Sequence, residues 1–349
     1  MSEAITKKLR AVARELLENE ERSIEFVLGH RRSPRLPWRA VPFYARTPED
    51  CDELLFDQSA QINLSGLLKL HHRSSSSNSN VTSSSNVTSS SSSNSISVSS
   101  SSRGKSFAVI AKGCDIRGLI SLINEKQLKR DQLFIIGVEC KGVLDFASRK
   151  EQKLAERCST CDVNIPKHYD LLLCEDGRQL FAKESEGEIE TKSFAASENS
   201  KGAESSAEEL PPGARKLEEM SLEERWEHWK RLLSRCIRCH ACRLSCPVCA
   251  CRTCIFDSTT PSWVDRSKNP SDNVIYSMVR LWHMSGRCVA CGECERVCPV
   301  GIPFGEITAH LAKDARSLFG QRPGDTLEGK RILVSYDEEE DAKAAEFIL

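Results

Sequence analysis

The sequence predicts an α+β chain of several domains: an N-terminal α/β domain on a small parallel sheet, and a C-terminal helical domain organised on a duplicated cysteine pattern. Three observations predict it. Two apolar, β-branched runs, Ser106–Ala111 and Leu133–Val138, flank a segment in which Ile116, Leu119, Ile120 and Ile123 recur at helical spacing. Strand, helix, strand at that length is a βαβ unit with parallel strands. Cys236 to Pro247 and Cys288 to Pro299 both read C-x2-C-x2-C-x3-C-P. Two low-complexity stretches divide the chain, giving 1–73 as the first part of the α/β domain, 74–102 as a disordered Ser/Asn linker or insertion, and 103–182 as the rest of that domain. Residues 183–220 then read as a charged linker, 221–318 as the cysteine-repeat domain and 319–349 as a tail.

In chain order, residues 4–18 predict an amphipathic helix with Ile5, Leu9, Val12, Ala13 and Leu16 on one face. Ile24–Leu28 is a short strand ending at Gly29, and Val41–Ala45 is another. Thr47-Pro48-Glu49-Asp50 is a helix start, and Cys51 behind it reads as a small half-buried side chain. Asn80 and Asn86 match the glycosylation pattern inside the Ser/Asn tract, an accidental match in a chain whose first twenty residues carry no signal-peptide core. Asp115 can cap the helix after Ala111, Leu133–Val138 is apolar throughout as if covered on both faces, and Asp170–Leu173 is a third strand. Ser221 and Glu224 form a capping box for a helix carrying Trp226, Trp229, Leu232 and Leu233, with the Trp pair read as core packing. Pro270-Ser271-Asp272 opens a helix with Ile275, Met278, Val279 and Trp282 on one apolar face, ended by Gly286. Ile302-Pro303 leads into a last helix with Ile307 and Leu311. The apolar piece Ile332–Val334 and the acidic run Asp337–Asp341 read as an interaction tail or as solvation.

The repeated spacing is that of bacterial ferredoxins, in which three cysteines ring one cubane and the fourth of each run ligates the other cluster. This assigns Cys236, Cys239, Cys242 and Cys298 to one [4Fe-4S] cluster, and Cys288, Cys291, Cys294 and Cys246 to a second. Zinc or free thiols are the competing reading; zinc is satisfied by four ligands and does not call for this spacing. Cys114 and Cys140 each stand just past a predicted strand, where open α/β sheets bind ligands, and Cys158 and Cys161 follow in the next loop. These four either converge on a third [4Fe-4S] cluster, with Lys112 and Lys141 offsetting its charge, or are two packed cysteines beside a zinc-like or unliganded pair. Cys249, Cys251 and Cys254 substitute for a ligand, bind further metal or are spare thiols. Cys174 reads as packed, and His240 and His283 as structural. Arg235, Arg238, Arg243, Arg252, Arg287 and Arg296 near the runs are a solvated surface, or else they raise cluster potentials or dock an acidic partner.

The totals agree. A chain of 349 residues with 17 cysteines and a formal net charge of −1 uses cysteine for redox chemistry in a reducing compartment and has no overall basic field for nucleic acid. With no apolar stretch of spanning length, the expectation is a cytoplasmic, soluble protein.

Lys112-Gly113-Cys114-Asp115-Ile116-Arg117, Ile136 to Gly142, Cys158-Ser159-Thr160-Cys161 and both cysteine runs resemble the β-subunit family of deazaflavin (F420)-reducing hydrogenases and formate dehydrogenases. They also resemble the iron–sulfur subunits that accompany formate dehydrogenases and heterodisulfide-reductase-like complexes of anaerobic metabolism. The resemblance extends more loosely to Phe26 through Leu68. It implies an electron-transfer subunit with a catalytic redox partner, Cys114, Cys140, Cys158 and Cys161 as ligands of the extra cluster, and a flavin (FAD) in family members that interconvert single electrons and hydride. No G-x-G-x-x-G places a flavin here, and the Ser/Asn tract departs from the family pattern. Three functions follow. The first is an electron relay. The second is a flavin enzyme reducing a deazaflavin or nicotinamide coenzyme. The third, disfavoured by charge and by two complete runs, is a cluster-bearing regulatory or nucleic-acid-binding protein.

Overall fold

The computed structural model describes residues 3–69, 106–145, 153–174, 176, 178–181, 210–251, 253–264, 269–328, 332 and 338. The Ser/Asn tract, most of the 183–220 segment and most of the acidic tail lie outside the described residues.

Strands β1 (Ile24–Arg32), β2 (Ala40–Ala45), β3 (Ser106–Ala111), β4 (Leu133–Val138), β7 (Leu171–Leu173) and β8 (Gln179–Phe181) form one sheet in the order β2-β1-β3-β4-β7-β8. A separate two-stranded hairpin pairs β5 (Leu144–Asp145) with β6 (Lys153–Leu154). The four central strands run parallel, with Ala108 beside Phe134 and Ile136 beside Leu171, and the two edges are antiparallel. Helix α1 (Glu3–Glu18) turns its predicted apolar face, Ile5 to Leu16, onto the sheet side carrying Val27, Ala108, Ile110, Ile136 and Val138. Helix α2 (Gly113–Asn124) covers the other side through Ile116, Leu119, Ile120 and Leu122, against Phe26, Leu28, Val109 and Ile135. Cover on both faces is what makes the central strands continuously apolar. Each large side chain buried there contributes roughly 1.5–3 kcal/mol.

Local readings shift in detail. β1 runs through Gly29 rather than ending there: a Cβ at this position would stand 2.6 Å from Ile110 Cδ1 and 2.8 Å from Leu54 Cδ2, so the glycine is a packing requirement inside the strand. The Thr47-Pro48 start produces only a short 3-10 turn, Glu49–Glu53, and Cys51 is fully buried within it, its thiol pushed up to about 11 by burial. Asp115 is not the cap residue of α2. The helix starts earlier, behind Lys112, and Asp115 in its first turn accepts from the Lys112 backbone N–H at 3.2 Å.

The C-terminal part is helical: α3 (Pro212–Glu218), α4 (Leu222–Ser234), α5 (Ala241–Leu244), α6 (Pro270–Met284), α7 (Glu293–Arg296) and α8 (Phe304–Phe319). α3 lies in the segment read as linker. It has proline in its first turn, buries Ala214 and Leu217, and packs on α8. The Ser221–Glu224 capping box forms, at 3.2 and 2.9 Å. The residues after α8 are docked rather than trailing. Arg117 donates to Pro323 O at 2.7 Å, Asn124 to Thr326 O at 3.0 Å, and Arg322 pairs with Asp162. No helix among the described residues is long and apolar enough to cross a membrane.

The largest departure is α6. The predicted apolar stripe faces outward: Ile275, Met278 and Trp282 are exposed, Trp282 at 66%. The buried face is Asn273, Tyr276, Ser277, Arg280, Leu281 and Met284. Trp226 on α4 is likewise exposed, leaving Trp229 as the tryptophan in the core.

Candidate iron–sulfur centres

The two cysteine runs take the same backbone path. The third and fifth positions of each are left-handed: Arg238 (φ 49°) and His240 (φ 59°) in the first, Ala290 (φ 53°) and Gly292 (φ 70°) in the second. A short helix, α5 or α7, then carries the third cysteine. Left-handed backbone at Arg, His and Ala costs on the order of 1–2 kcal/mol each, and strain of this kind is held where a site requires it. Here it curls each loop around a cage and turns amides onto sulfur. Arg238 N donates to Cys236 Sγ at 3.4 Å and Ile302 N to Cys298 Sγ at 3.3 Å; Ala290 and Glu293 amides serve Cys288 and Cys291.

The cysteines that face one another electrostatically sort into three groups. Cys236 faces Cys242, Cys298 and Cys239, and Cys242 faces Cys239 and Cys298. Cys291 faces Cys246 and Cys288; Cys294 faces the same two first and Cys242 last. The fourth cysteine of each run thus lies with the other run's first three, forming cage I (Cys236, Cys239, Cys242, Cys298) and cage II (Cys288, Cys291, Cys294, Cys246). A third group stands past the ends of β3 and β4: Cys114 faces Cys140 and Cys161, and Cys140 faces Cys158 and Cys161. Its amides from Gly142 and Val163 also point at sulfur. Gly113, which opens α2 beside this cage III, is bare because a Cβ would overlap the Val163 carbonyl.

Burial pushes these thiols up, Cys294 to about 12 against the pull of Arg280 and Cys140 to about 11 against the pull of Lys112. Packing several buried thiols around one point is costly as bare thiolates, so such a cage suits a multivalent cationic centre. Among the described residues no three His, Cys, Asp or Glu side chains draw close enough for a single metal ion. The run spacing and the amides turned onto sulfur suit [4Fe-4S] better than zinc.

The inverted face of α6 now has a reason. Asn273 donates to Leu233 O at 3.2 Å and Cys236 O at 3.0 Å, and Arg280 donates to Cys242 O at 3.1 Å. Tyr276 OH lies 3.2 Å from His240 Nδ1 and 4.0 Å from Cys242 Sγ. Met284 Sδ touches Cys246 Sγ at 3.7 Å. The helix presents polar groups inward because its neighbours are backbone carbonyls and sulfur. His240 is held by Tyr276. This bond accompanies a pKa lowered first by burial and then by Arg243.

Other readings change. Most of the arginines near the runs are held inside the chain: Arg243 by Asp257 at 2.9 Å, Arg287 by Glu125 at 3.0 Å, Arg296 by Glu293 at 2.5 Å, Arg238 near Asp272 at 3.6 Å, and Arg235 on Gly301 O at 3.3 Å. Arg252 lies outside the described residues. Lys112 is buried, 2.9 Å from Asp115, and faces Cys114 and Cys140, whereas Lys141 is exposed. Cys249 packs beside cage II and faces Cys251, which is exposed, while Cys254 meets Arg243. Cys174 is buried, as read. Sequence reasoning missed Arg280, Tyr276 and Asn273, although a row of polar residues at positions 273, 276, 277 and 280, at helical spacing just before a cysteine run, was a signal in plain view. It also missed Asn63, which bonds Cys114 O at 3.1 Å and Glu293 at 3.1 Å, and Lys69, which bonds Cys246 O at 2.7 Å and Cys249 O at 3.0 Å. Both tie the sheet domain to the cages.

Residues 232–302 match the family model of the 4Fe-4S dicluster domain. The chain carries a 4Fe-4S dicluster domain. The matched segment takes in both cysteine runs and α6. The chain is also 27% identical over 285 residues to the F420-dependent formate dehydrogenase subunit beta of Methanocaldococcus jannaschii, covering 63% of this chain and 74% of that protein. It is 27% identical over 287 residues to the F420-dependent formate dehydrogenase 1 subunit beta of Methanococcus maripaludis, covering 62% and 72%. Those alignments are longer than the dicluster domain itself, so the likeness takes in sheet-domain sequence as well.

Proposed function

We propose that the chain is an iron–sulfur electron-transfer subunit of a cytoplasmic formate dehydrogenase complex. It passes single electrons between a catalytic partner subunit and a second acceptor through [4Fe-4S] clusters in cages I and II and a third in cage III. The observation that carries this reading is the exchange of Cys246 and Cys298 between the two runs. A pair of isolated zinc loops has no use for it; two cubanes close enough to exchange electrons do. The names of the relatives favour formate dehydrogenase over a hydrogenase or heterodisulfide-reductase-like partner.

When bound, the clusters would supply the one-electron carriers; the rest is the chain's own contribution. Amides on Cys236, Cys288, Cys291 and Cys298 stabilise negative charge on sulfur. Tyr276 and Asn273 fix the first loop. Cage I opens to solvent at the exposed Cys239, with exposed Ile237 and Leu244 beside it, while in cage II Cys246 is buried and Cys288, Cys291 and Cys294 are half-buried. Cage I is therefore the edge from which charge leaves or enters the domain.

A second reading, a flavin-bearing subunit, has one observation behind it. A cleft lined by Cys114, Cys161, Cys288, Arg117, Arg157 and Arg316 lies between cages II and III, with cationic groups suited to phosphate. Its volume of about 160 Å³ falls below the ~300 Å³ at which cofactor sites begin, which favours the relay. Nucleic-acid binding is disfavoured because the described arginines near the runs named above are held by partners within the chain.

Anaerobic purification with iron, zinc and flavin quantification and EPR of the reduced protein tests the proposal. About eight irons per chain are expected from cages I and II and about twelve with cage III. Zinc without iron would end it, and stoichiometric flavin would move the assignment to the second reading.

A further inference from the structure

Two arginines occupy the gaps between cages, Arg280 buried and Arg157 half-buried. Arg280 is 5% exposed, and its guanidinium stacks on Phe304 at 5.2 Å. It bonds Cys242 O at 3.1 Å, yet its Nε and Nη1 have no hydrogen-bond partner, and no described carboxylate lies within ion-pair distance. The thiols that face it are Cys294 and Cys246 of cage II and Cys242 of cage I. Arg157 lies on the other side of cage II. It faces Cys158 and Cys114 of cage III and Cys291 of cage II, together with Glu293, whose carboxylate is already held by Arg296. It also lines the cleft that Cys114, Cys161 and Cys288 border.

The duplicated loops record the position of Arg157. At the fifth place of the run the first loop has His240 and the second has Gly292, with the same left-handed backbone. A Cβ on Gly292 would stand 2.6 Å from Arg157 Nε and 2.7 Å from its Nη1. The second loop is stripped of its side chain where the arginine crosses it.

We propose that Arg280 and Arg157 are fixed counter-cations, one in each gap of a linear series III–II–I, that raise the potentials of the centres on either side of them. The inference rests on the reading that the three cages hold clusters. The buried Arg280 guanidinium, with no described carboxylate at ion-pair distance, needs compensating negative charge, and the groups facing it are cluster sulfurs; Arg157 faces sulfurs of two cages together with Glu293 and Glu295. Reduction adds one negative charge to a cluster, so a fixed cation nearby favours the reduced form. Because each arginine is shared, the series predicts a pattern: Arg280 acts on cages I and II and not on III, and Arg157 acts on II and III and not on I.

The experiment is an EPR-monitored redox titration of the full chain, purified anaerobically, as wild type, Arg280→Gln, Arg280→Lys and Arg157→Gln, with iron counted in each. Arg280→Gln is expected to keep its iron and to lower the reduction equilibrium constant of two centres about tenfold, a fall of 59 mV for a one-electron couple. Arg280→Lys is expected to recover most of the shift, and Arg157→Gln to shift the third centre and one of those two. Unchanged potentials at full iron content would overturn the inference, as would equal shifts of all three centres by either substitution. If Arg280→Gln loses iron, Arg157→Gln, which leaves the contacts of cage I in place, decides on the same criterion. A wild-type chain lacking iron, or lacking the third signal, would instead overturn the cage assignments on which this rests.

Discussion

The sheet domain and the dicluster domain handle helices in opposite ways. α1 and α2 bury their apolar faces and expose polar ones, because what lies beneath them is a sheet of Val, Ile, Leu and Ala. α6 buries Asn273, Tyr276, Ser277 and Arg280 and leaves Ile275, Met278 and Trp282 outside, because beneath it lie the carbonyls of Leu233, Cys236 and Cys242 and the sulfurs of both cages. Amphipathicity reports which face matches the neighbour. It reports the inward face only where the neighbour is apolar. The sheet domain is held by area removed from water, the dicluster domain in larger part by ligation and by polar contacts to loops.

The sharpest way to break this contrast is to remove one sulfur. Cys298→Ser, a change in the second run, is expected to cost the cluster of cage I, built mostly from the first run: about four irons fewer per chain, with the cage II signal retained. Iron counting with EPR checks it. Loss of the cage II cluster instead would mean that each run closes on itself. The thermal stability of the helical part should drop with the iron, whereas hydrogen exchange in β3 and β4 should hardly change.

Next in size is an ion pair buried at the start of α2. Lys112 and Asp115 meet at 2.9 Å, both nearly inaccessible, and Lys112 also bonds Ile62 O at 3.2 Å. Lys112→Met would leave the Asp115 carboxylate buried without its cation, at a cost of roughly 3–5 kcal/mol. Denaturant unfolding of the sheet domain reads it. The double change with Asp115→Leu should recover much of the loss if the penalty lies in the orphaned charge.

The sheet domain also carries an acid-sensitive group. His30 is buried, with Nε2 3.2 Å from Ile62 O, and its pKa is lowered to about 3, chiefly by burial and then by the Lys112 charge. Its folded pKa lies below the unfolded value near 6.5, so the unfolded chain binds the proton first. The stabilisation is complete above pH 6.5 and lost as pH falls toward 3, amounting to roughly 3 kcal/mol by pH 4. Hydrogen exchange of β1 between pH 7 and 4 is expected to show this loss in the wild type and a flatter profile in His30→Gln. A parallel profile would assign the acid limb to other groups.

Legibility followed the same division. Every central strand and the burial of α1 and α2 could be read from periodicity, because hydrophobic contact is encoded by residue type at a fixed repeat. The two cysteine runs, which fold with matching left-handed turns, could be read from spacing, because a repeated loop repeats its cysteine pattern. Arg280, Tyr276 and Asn273 were hidden by the rule that reads polar residues as outside. Arg157 was hidden because its neighbours at Cys114, Gly292 and Cys291 come together only in three dimensions. The docking of Pro323 and Thr326 onto α2 was invisible for a similar reason: backbone carbonyls accept hydrogen bonds whatever the side chain.

The smallest effect is also the most direct test of the inversion. Trp282→Ser removes the largest apolar side chain on α6 but one standing in solvent, so unfolding of the isolated chain should change by no more than about 0.5 kcal/mol. Asn273→Ala removes a small polar side chain and leaves the carbonyls of Leu233 and Cys236 without their donor, at roughly 1–3 kcal/mol. A helix buried by its apolar stripe would give the reverse ranking. Measuring the two variants side by side in anaerobic, iron-replete protein therefore reads the orientation of α6 directly, since a slip of the helix about its own axis would exchange their effects.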